Sequence, residues 1–188
     1  MLVILILLLV LLAFELIFRQ RSFLSSLAHE LYRFGRYESS EKLFEKALGE
    51  SDVPGNANLA KSRYKQGEFD AAEEAAQRAL ELDEEDPMLL YDLGNIAFEK
   101  GDYQAAVEHY SEALLRDHQD DDIRANLELA LRKLDENPPQ PEPEGDDVQE
   151  EEQDPEQYRN ILDALDNLEA QDRQNRARRS PPKTENWW

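Results

Sequence analysis

The stretch "YDLGNIAFEKGDYQAAVEHYSEAL", residues 91–114, decides the fold because its small and aromatic residues recur at a fixed interval. Thirty-four residues earlier, "AKSRYKQGEFDAAEEAAQRAL" (60–80) places similar residues at the same spacing. The matched pairs are Leu59 with Leu93, Gly67 with Gly101, Phe69 with Tyr103, Ala72 with Ala106 and Ala79 with Ala113. A fixed interval of this length indicates a repeat architecture.

A weaker third copy precedes these two, in "LAHELYRFGRYESSEKLFEKAL" (27–48), and the turn that follows it is two residues shorter. Gly94, Ala106 and Ala113 occupy positions where two helices would approach closely and where a larger side chain would overpack. Gly67 and Gly101 suit the turn inside each helix pair, which often needs a left-handed backbone. The repeat unit is therefore predicted to be a helical hairpin.

The pattern resembles the tetratricopeptide repeat (TPR), a pair of antiparallel helices. The signature positions of the best copy are filled by Leu90, Leu93, Gly94, Phe98, Gly101, Tyr103, Ala106, Tyr110 and Ala113. The resemblance implies an all-α solenoid of about three repeats over residues 21–134. A single helix over residues 121–134 would close the array, since Ile123, Leu127, Leu131 and Leu134 form one apolar stripe.

Composition excludes several functions. The 188 residues carry 21 Lys plus Arg against 42 Asp plus Glu, a net charge of −21, and no cysteine. Disulfides and thiolate metal sites are impossible, and the acidity argues against nucleic-acid binding. His29, His109 and His118 are the only histidines and form no metal-binding motif. We expect no catalytic residues, no metal, no cofactor and no small-molecule substrate.

The first eighteen residues, "MLVILILLLVLLAFELIF", predict a transmembrane helix or an uncleaved signal anchor over residues 1–18. A cleaved signal peptide is the alternative, but no basic residue precedes the apolar run and only Ala13 is small. The arginines that follow, at positions 19, 21, 33 and 36, favour a cytoplasmic location for the solenoid.

The first helix of each TPR pair lines the concave surface, so by analogy its inward residues form a candidate groove. These residues are Tyr32, Arg33, Lys61, Tyr64, Lys65, Tyr91, Asn95 and Phe98, extended by Arg132 and Lys133 on the closing helix. Basic and aromatic side chains of this kind suit a peptide that carries carboxylates. The alternative is that the aromatic residues only pack and the cations are solvated. Of the carboxylate-clamp positions known in TPR chaperones, only Asn95 resembles one.

Beyond the solenoid, residues 135–153 are rich in proline and acid and predict a disordered, extended linker. This linker could fold back into the groove as an internal ligand. Residues 154–179 predict an amphipathic helix that begins at Asp154, and residues 180–188 form a tail that ends in two tryptophans. The apolar stripe of this helix consists of Tyr158, Ile161, Leu162, Leu165 and Leu168. This stripe must dock on the solenoid, on a second copy or on another protein.

The order of these parts, with "NILDALDNLEAQ" (160–171) and a basic run before the terminal tryptophans, resembles the TPR protein of bacterial Bat (aerotolerance) operons. That resemblance implies a non-catalytic scaffold in the bacterial inner membrane, with a single span and the TPR domain in the periplasm. It implies von Willebrand factor A-type membrane proteins as partners, in oxidative-stress tolerance. The alternative function is an adaptor or chaperone for cell-envelope biogenesis that binds client peptides.

Overall fold

The computed structural model describes residues 2–49, 52–138, 156–164, 166–167 and 170, and this part of the chain is helical with short turns. Seven helices follow one another in the order α1 (Leu2–Arg33), α2 (Tyr37–Ala47), α3 (Val53–Gln66), α4 (Phe69–Leu82), α5 (Pro87–Lys100), α6 (Tyr103–Arg116) and α7 (Asp121–Glu136). A further helical segment covers residues 156–164, which we call the C-terminal segment. Helices α1 to α6 form three hairpins, and each hairpin packs on the next. The all-helical solenoid predicted from the repeats is confirmed.

Helix α1 joins two parts that differ sharply in sequence. The apolar run and the first helix of repeat one form a single α-helix of 32 residues without a break at residues 18–21. The large apolar side chains from Val3 to Phe18 are each more than half exposed. By length and composition α1 could span a membrane. The boundary expected after residue 18 is thus only a change in side chains along one helix.

The three hairpin turns share one structure. Gly35, Gly67 and Gly101 all have a left-handed backbone, with φ of 72°, 78° and 80°. In each turn the glycine N–H donates to the carbonyl three residues back, and the next N–H donates to the carbonyl five residues back. This is the Schellman ending of a helix. An aromatic pair then closes each turn, with ring centroids 5.2 Å apart in Tyr32–Tyr37, 5.7 Å in Tyr64–Phe69 and 5.3 Å in Phe98–Tyr103.

Helices α3, α5, α6 and α7 each start at an aspartate whose carboxylate accepts backbone hydrogen bonds, whereas Glu68 at the start of α4 makes no such contact. The Asp52 carboxylate accepts from the Gly55 N–H at 2.9 Å, and Asp86 and Asp102 accept from the first turns of α5 and α6 in the same way. Asp120 accepts from two backbone N–H groups of α7. These contacts satisfy donors that helix starts leave without partners.

The core of the third hairpin depends on a close approach at Gly94. A β-carbon at this position would lie 2.5 Å from Cε1 of Tyr110, so α5 and α6 can pack at this distance only with glycine there. Tyr110 itself is 2% exposed. Ala106 and Ala113, the other predicted contact positions, are fully buried. The predicted small-residue positions are therefore confirmed, and they set the spacing between the paired helices.

The first two hairpins are joined by an ionic contact around Arg63 on α3. Its Nε lies 2.8 Å from Glu41 Oε1 and its Nη2 lies 2.9 Å from Glu45 Oε1, both on α2. Its Nη1 donates to the backbone oxygen of Ala71 on α4 at 3.2 Å. Gln66 donates to the second oxygen of Glu41 at 2.8 Å. One guanidinium thus ties together three helices.

Candidate functional site

A cavity of about 180 Å³ opens between the first helices of the three hairpins. Its polar and aromatic lining comes from Tyr32 on α1, from Lys61, Tyr64 and Lys65 on α3, and from Asp92 and Asn95 on α5. Lys65 Nζ lies 5.5 Å from the centroid of the Tyr64 ring, within the range of a cation–π contact. The volume is below the 300–1,000 Å³ or so of small-molecule sites, so the cavity suits one side chain of a longer ligand.

A second cavity of about 180 Å³ adjoins the first and shares Tyr64 and Asn95 with it. Phe98, Glu99 and Leu129 also line this cavity. Together the two cavities form a groove along α3, α5 and α7, which we call the concave groove. A groove of this length can hold an extended segment rather than a single side chain.

Asn95 holds the floor of the concave groove in place. Its Oδ1 accepts a hydrogen bond from the Tyr110 hydroxyl at 2.8 Å and another from Asn126 Nδ2 at 3.1 Å. The same Nδ2 donates to the Tyr91 hydroxyl at 3.1 Å. These contacts connect α5, α6 and α7. The side-chain oxygen of Asn95 therefore stabilises the groove by joining these three helices.

Six of the ten groove residues expected from the sequence line the two cavities, namely Tyr32, Lys61, Tyr64, Lys65, Asn95 and Phe98. The other four do not. Tyr91 packs against the core with its hydroxyl held by Asn126, and Arg33 pairs with Glu30 at 2.9 Å on an exposed part of α1. Lys133 pairs with Glu136 at 2.7 Å within α7, and Arg132 is exposed.

Two acidic residues of the groove are absent from the set expected from the sequence. Asp92 lies on the wall of the first cavity and Glu99 on that of the second. A signal was present for Asp92, because it stands three residues before Asn95 and so shares its helix face. The expected set contained only basic, aromatic and amide side chains, and therefore described only part of the groove.

Asp92 is the most buried charged group of the groove. Its side chain is 15% exposed, and Lys61 Nζ lies 3.2 Å from its Oδ2. The contact is outside hydrogen-bond alignment, and no other group in the described chain donates to that oxygen. Burial raises the pKa of the Asp92 carboxyl above its usual range, although Lys61 opposes this effect. Asp92 and Lys61 therefore form an ion pair in which the charge of Lys61 offsets only part of the effect of burial.

The charges of the concave groove are balanced rather than basic. Lys61, Lys65 and Asp92 line the first cavity, and Glu99 lines the second. Burial and the neighbouring Glu99 also raise the pKa of the Tyr64 hydroxyl. The groove therefore differs from the basic face expected from the sequence, because two carboxylates lie among its cations. The acidic linker loses its main electrostatic reason to occupy this groove.

The C-terminal segment packs against the last helices of the solenoid, α5, α6 and α7. Tyr158 is 4% exposed within the core formed by α5, α6 and α7, and Ile161 and Leu162 pack against the same cluster. Arg159 Nη2 lies 2.6 Å from Asp135 at the end of α7, and Arg124 near its start pairs with Asp166. The segment therefore runs antiparallel to α7.

Several of the predicted C-terminal features lie outside the described residues. These are Leu165 and Leu168 of the apolar stripe, the expected helix start at Asp154, the linker beyond residue 138 and the tail over residues 180–188. The docking contacts are therefore those of Tyr158, Ile161 and Leu162 with the α6–α7 core, together with the two ion pairs along α7.

In the described residues the C-terminal segment lies beside α7 in the place that the second helix of a repeat would take. The second helix of a repeat packs antiparallel to the first and against the second helix of the preceding repeat, and the contacts of Tyr158 with the α6–α7 core fit this position. From the sequence, α7 alone was expected to close the array, and three docking places for the apolar stripe were open. In the structure the described part of the stripe, Tyr158, Ile161 and Leu162, packs against the solenoid of the same chain.

Replacing Tyr158 with alanine should release the C-terminal segment without unfolding the solenoid. The ring is the most buried part of a small contact, so its loss removes most of the apolar area that holds the segment. We expect trypsin to cleave after Arg159 at least roughly tenfold faster, because cleavage follows the population of the undocked state. Mass spectrometry of timed digests measures this rate.

Asn160→Ala is the matched control, since residue 160 lies on the exposed side of the same segment. This variant should be cleaved at the rate of the unmodified chain. Equal cleavage of the Tyr158→Ala and unmodified chains would show that the docked position contributes no protection.

Metal-binding clusters are absent from the part of the chain that the structure describes. The described groove combines aromatic walls, the fixed amide of Asn95 and one ion pair between Lys61 and Asp92.

Comparison with known proteins agrees with this architecture. Two sequence models described as tetratricopeptide repeat match residues 57–122 and 22–49. No curated protein matches the chain by sequence. Solved structures resemble it in fold, and three of them illustrate the range.

The Sgt2 TPR domain from Aspergillus fumigatus is 24% identical, with a TM-score of 0.60, and the alignment covers 70% of this chain and 89% of that one. The type III secretion chaperone SycD from Yersinia enterocolitica, in complex with a peptide of the translocator YopD, is 21% identical with a TM-score of 0.55, covering 60% and 92%. The first TPR of Spaghetti (RPAP3), bound to the HSP90 peptide SRMEEVD, is 15% identical with a TM-score of 0.60, covering 62% and 94%.

Proposed function

Because the chain carries tetratricopeptide repeats, we propose that it is a non-catalytic, membrane-anchored scaffold that binds a partner protein in the concave groove. The observation that carries the proposal is the convergence of six predicted groove residues on two adjoining cavities. Peptide-sized grooves of this kind bind extended or helical segments. Two of the similar structures have peptides bound, which supports the same use here.

Membrane anchoring is supported by α1. Its first half exposes large apolar side chains over a length that fits a hydrocarbon core. We place the protein in a bacterial inner membrane with a single span and the solenoid in the periplasm, on the strength of the resemblance to Bat-operon proteins. The arginines after the apolar run support the cytoplasmic side as the alternative.

The partners that we propose are von Willebrand factor A-type membrane proteins of an envelope complex linked to oxidative-stress tolerance. This assignment rests on the order of the parts along the chain and on the "NILDALDNLEAQ" stretch. A second candidate is an adaptor or chaperone that receives client peptides. The resemblance to the type III secretion chaperone structure favours this alternative.

A membrane pull-down tests the proposal. The tagged full chain should stay in the membrane fraction through an alkaline wash and should then capture a stoichiometric partner after detergent extraction. The groove variant Tyr32→Ala/Lys65→Ala should lose that partner, because both side chains line the first cavity. The matched control Phe34→Ala/Lys46→Ala removes an aromatic ring and a lysine from exposed positions that line neither cavity, so it should retain the partner.

Each result has a distinct meaning. A partner of the von Willebrand factor A type that is captured by the control but not by the groove variant supports the scaffold. A broad set of weakly bound proteins would favour the adaptor. Equal capture by both variants would exclude the groove as the binding surface, and release by the alkaline wash would exclude the anchor.

A further inference from the structure

The first cavity of the concave groove holds a mostly buried carboxylate that is only partly paired. The side chain of Asp92 is 15% exposed, and its Oδ2 has no aligned donor in the described chain. A buried charge without full pairing is expensive. Groups kept in such positions are often parts of binding sites.

The direction of the pKa shift shows which charge state of Asp92 the folded chain favours. The pKa of Asp92 is raised in the folded chain by burial, so the folded state binds this proton more tightly than the unfolded state. Stability from this group is therefore greatest at pH values below the ordinary carboxyl pKa, and it falls as the pH rises through the raised value. In its ionised form Asp92 opposes folding.

Lys61 behaves as an incomplete partner for this carboxylate. Its side chain remains 41% exposed, and its Nζ approaches Asp92 at 3.2 Å from outside hydrogen-bond alignment. A long, partly solvated side chain of this kind can swing away when a better cation arrives. The tyrosine rings of Tyr32 and Tyr64 line the same cavity and present surfaces on which a cation can rest.

The surrounding charge favours a cationic ligand. The groove is balanced, with two lysines and two carboxylates, within a chain of net charge −21. At long range a net charge of this size favours the approach of basic peptides over acidic ones. This reverses the preference that the lysines alone indicated in the sequence.

We propose that the concave groove binds a peptide segment bearing an arginine or lysine, whose cation enters the cavity between Tyr32 and Tyr64 and replaces Lys61 on the carboxylate of Asp92. The inference rests on the proposed peptide-binding function of the groove. Arginine fits best, because its planar fork can donate two hydrogen bonds to one carboxylate and can stack on an aromatic ring.

Fluorescence anisotropy with the detergent-solubilised full chain tests this assignment. The probes are three fluorescein-labelled ten-residue peptides that are identical except for two central positions, which hold Arg, Gln or Glu. We expect the unmodified chain to bind the Arg peptide at least roughly tenfold more tightly than the Glu peptide. The preference should weaken with added salt.

Three variants sharpen the test. Asp92→Asn should lower affinity for the Arg peptide about tenfold and leave the Gln peptide unchanged. Lys61→Gln should raise affinity for the Arg peptide, because it removes the competing cation. Glu81→Gln, which removes one exposed negative charge from α4, should change neither. A thermal unfolding midpoint for Asp92→Asn at or above that of the unmodified chain shows that the loss of binding is not a loss of fold.

The outcomes distinguish the assignment of a cationic ligand from peptide binding by the groove. Tighter binding of the Glu peptide, or an Arg preference that survives Asp92→Asn, would overturn the assignment of a cationic ligand while leaving the groove as a peptide site. Failure of all three peptides to bind the unmodified chain would overturn peptide binding by the groove itself.

Discussion

Replacing Tyr110 with alanine is expected to lower the free energy of unfolding by about 4 kcal/mol, because a large buried ring is lost and a cavity remains. The ring is 2% exposed and fills the space over Gly94. It also packs beside Tyr91, with 5.9 Å between centroids, and its hydroxyl donates to Asn95. The cavity lies between α5 and α6, where neighbouring helices cannot close it.

Urea unfolding followed by circular dichroism in mild detergent measures this loss, with the apolar half of α1 contributing a constant background. Tyr110→Phe is the matched control, because it keeps the ring and loses only the hydroxyl, at a cost of about 1 kcal/mol. If the two variants were equally destabilised, the hydrogen bond to Asn95 and not the ring packing would hold the third hairpin together.

Arg63→Ala is expected to destabilise the chain by about 2 kcal/mol, with the loss concentrated between the first and second hairpins. The side chain is 13% exposed and contacts Glu41, Glu45 and the backbone oxygen of Ala71. Its loss leaves Glu41, which is 15% exposed, with only the Gln66 amide as a described partner. Because a solenoid repeat contacts only its neighbours, we expect the damage to stay local.

Hydrogen exchange can locate this damage as well as measure it. Amides of α2 and α3 should lose protection while those of α6 and α7 keep theirs. Arg78→Ala is the matched control, since Arg78 makes an exposed pair with Glu74 at 3.0 Å and should cost less than about 0.5 kcal/mol. A uniform loss of protection across all hairpins would contradict the local role of Arg63.

The repeat interval was sufficient to predict the hairpins, because the residues it fixes have direct steric roles. Gly67 and Gly101 do adopt the left-handed conformation, and Gly94 does face a buried ring. The stripe of Ile123, Leu127, Leu131 and Leu134 is buried as expected, each residue being 5% exposed or less. The spacing of small and apolar residues determines how the helices pack, so the hairpins and α7 could be predicted from the sequence.

What the sequence did not reveal depends on contacts between distant parts. The spacing of Asp92 from Asn95 places it on the groove face, but an acidic residue in an acidic chain gives no sign of burial, so only the folded chain reveals that its side chain is 15% exposed beside Lys61. The apolar stripe of the C-terminal segment predicted that it docks, but such a stripe defines a face and not its partner. The continuity of α1 has no sequence signal either, because side-chain polarity changes after residue 18 while the helical backbone does not.

The unbroken course of α1 joins the apolar run and the first repeat in one continuous helix. Its 32 residues correspond to a rod of about 48 Å at 1.5 Å per residue. Tyr32, near one end of this rod, forms part of the concave groove, and the apolar half lies at the other end. Any tilt or rotation imposed on the rod within a bilayer would move the groove wall with it. The orientation of the groove would then depend on the orientation of α1 in the bilayer, because no flexible linker separates the two.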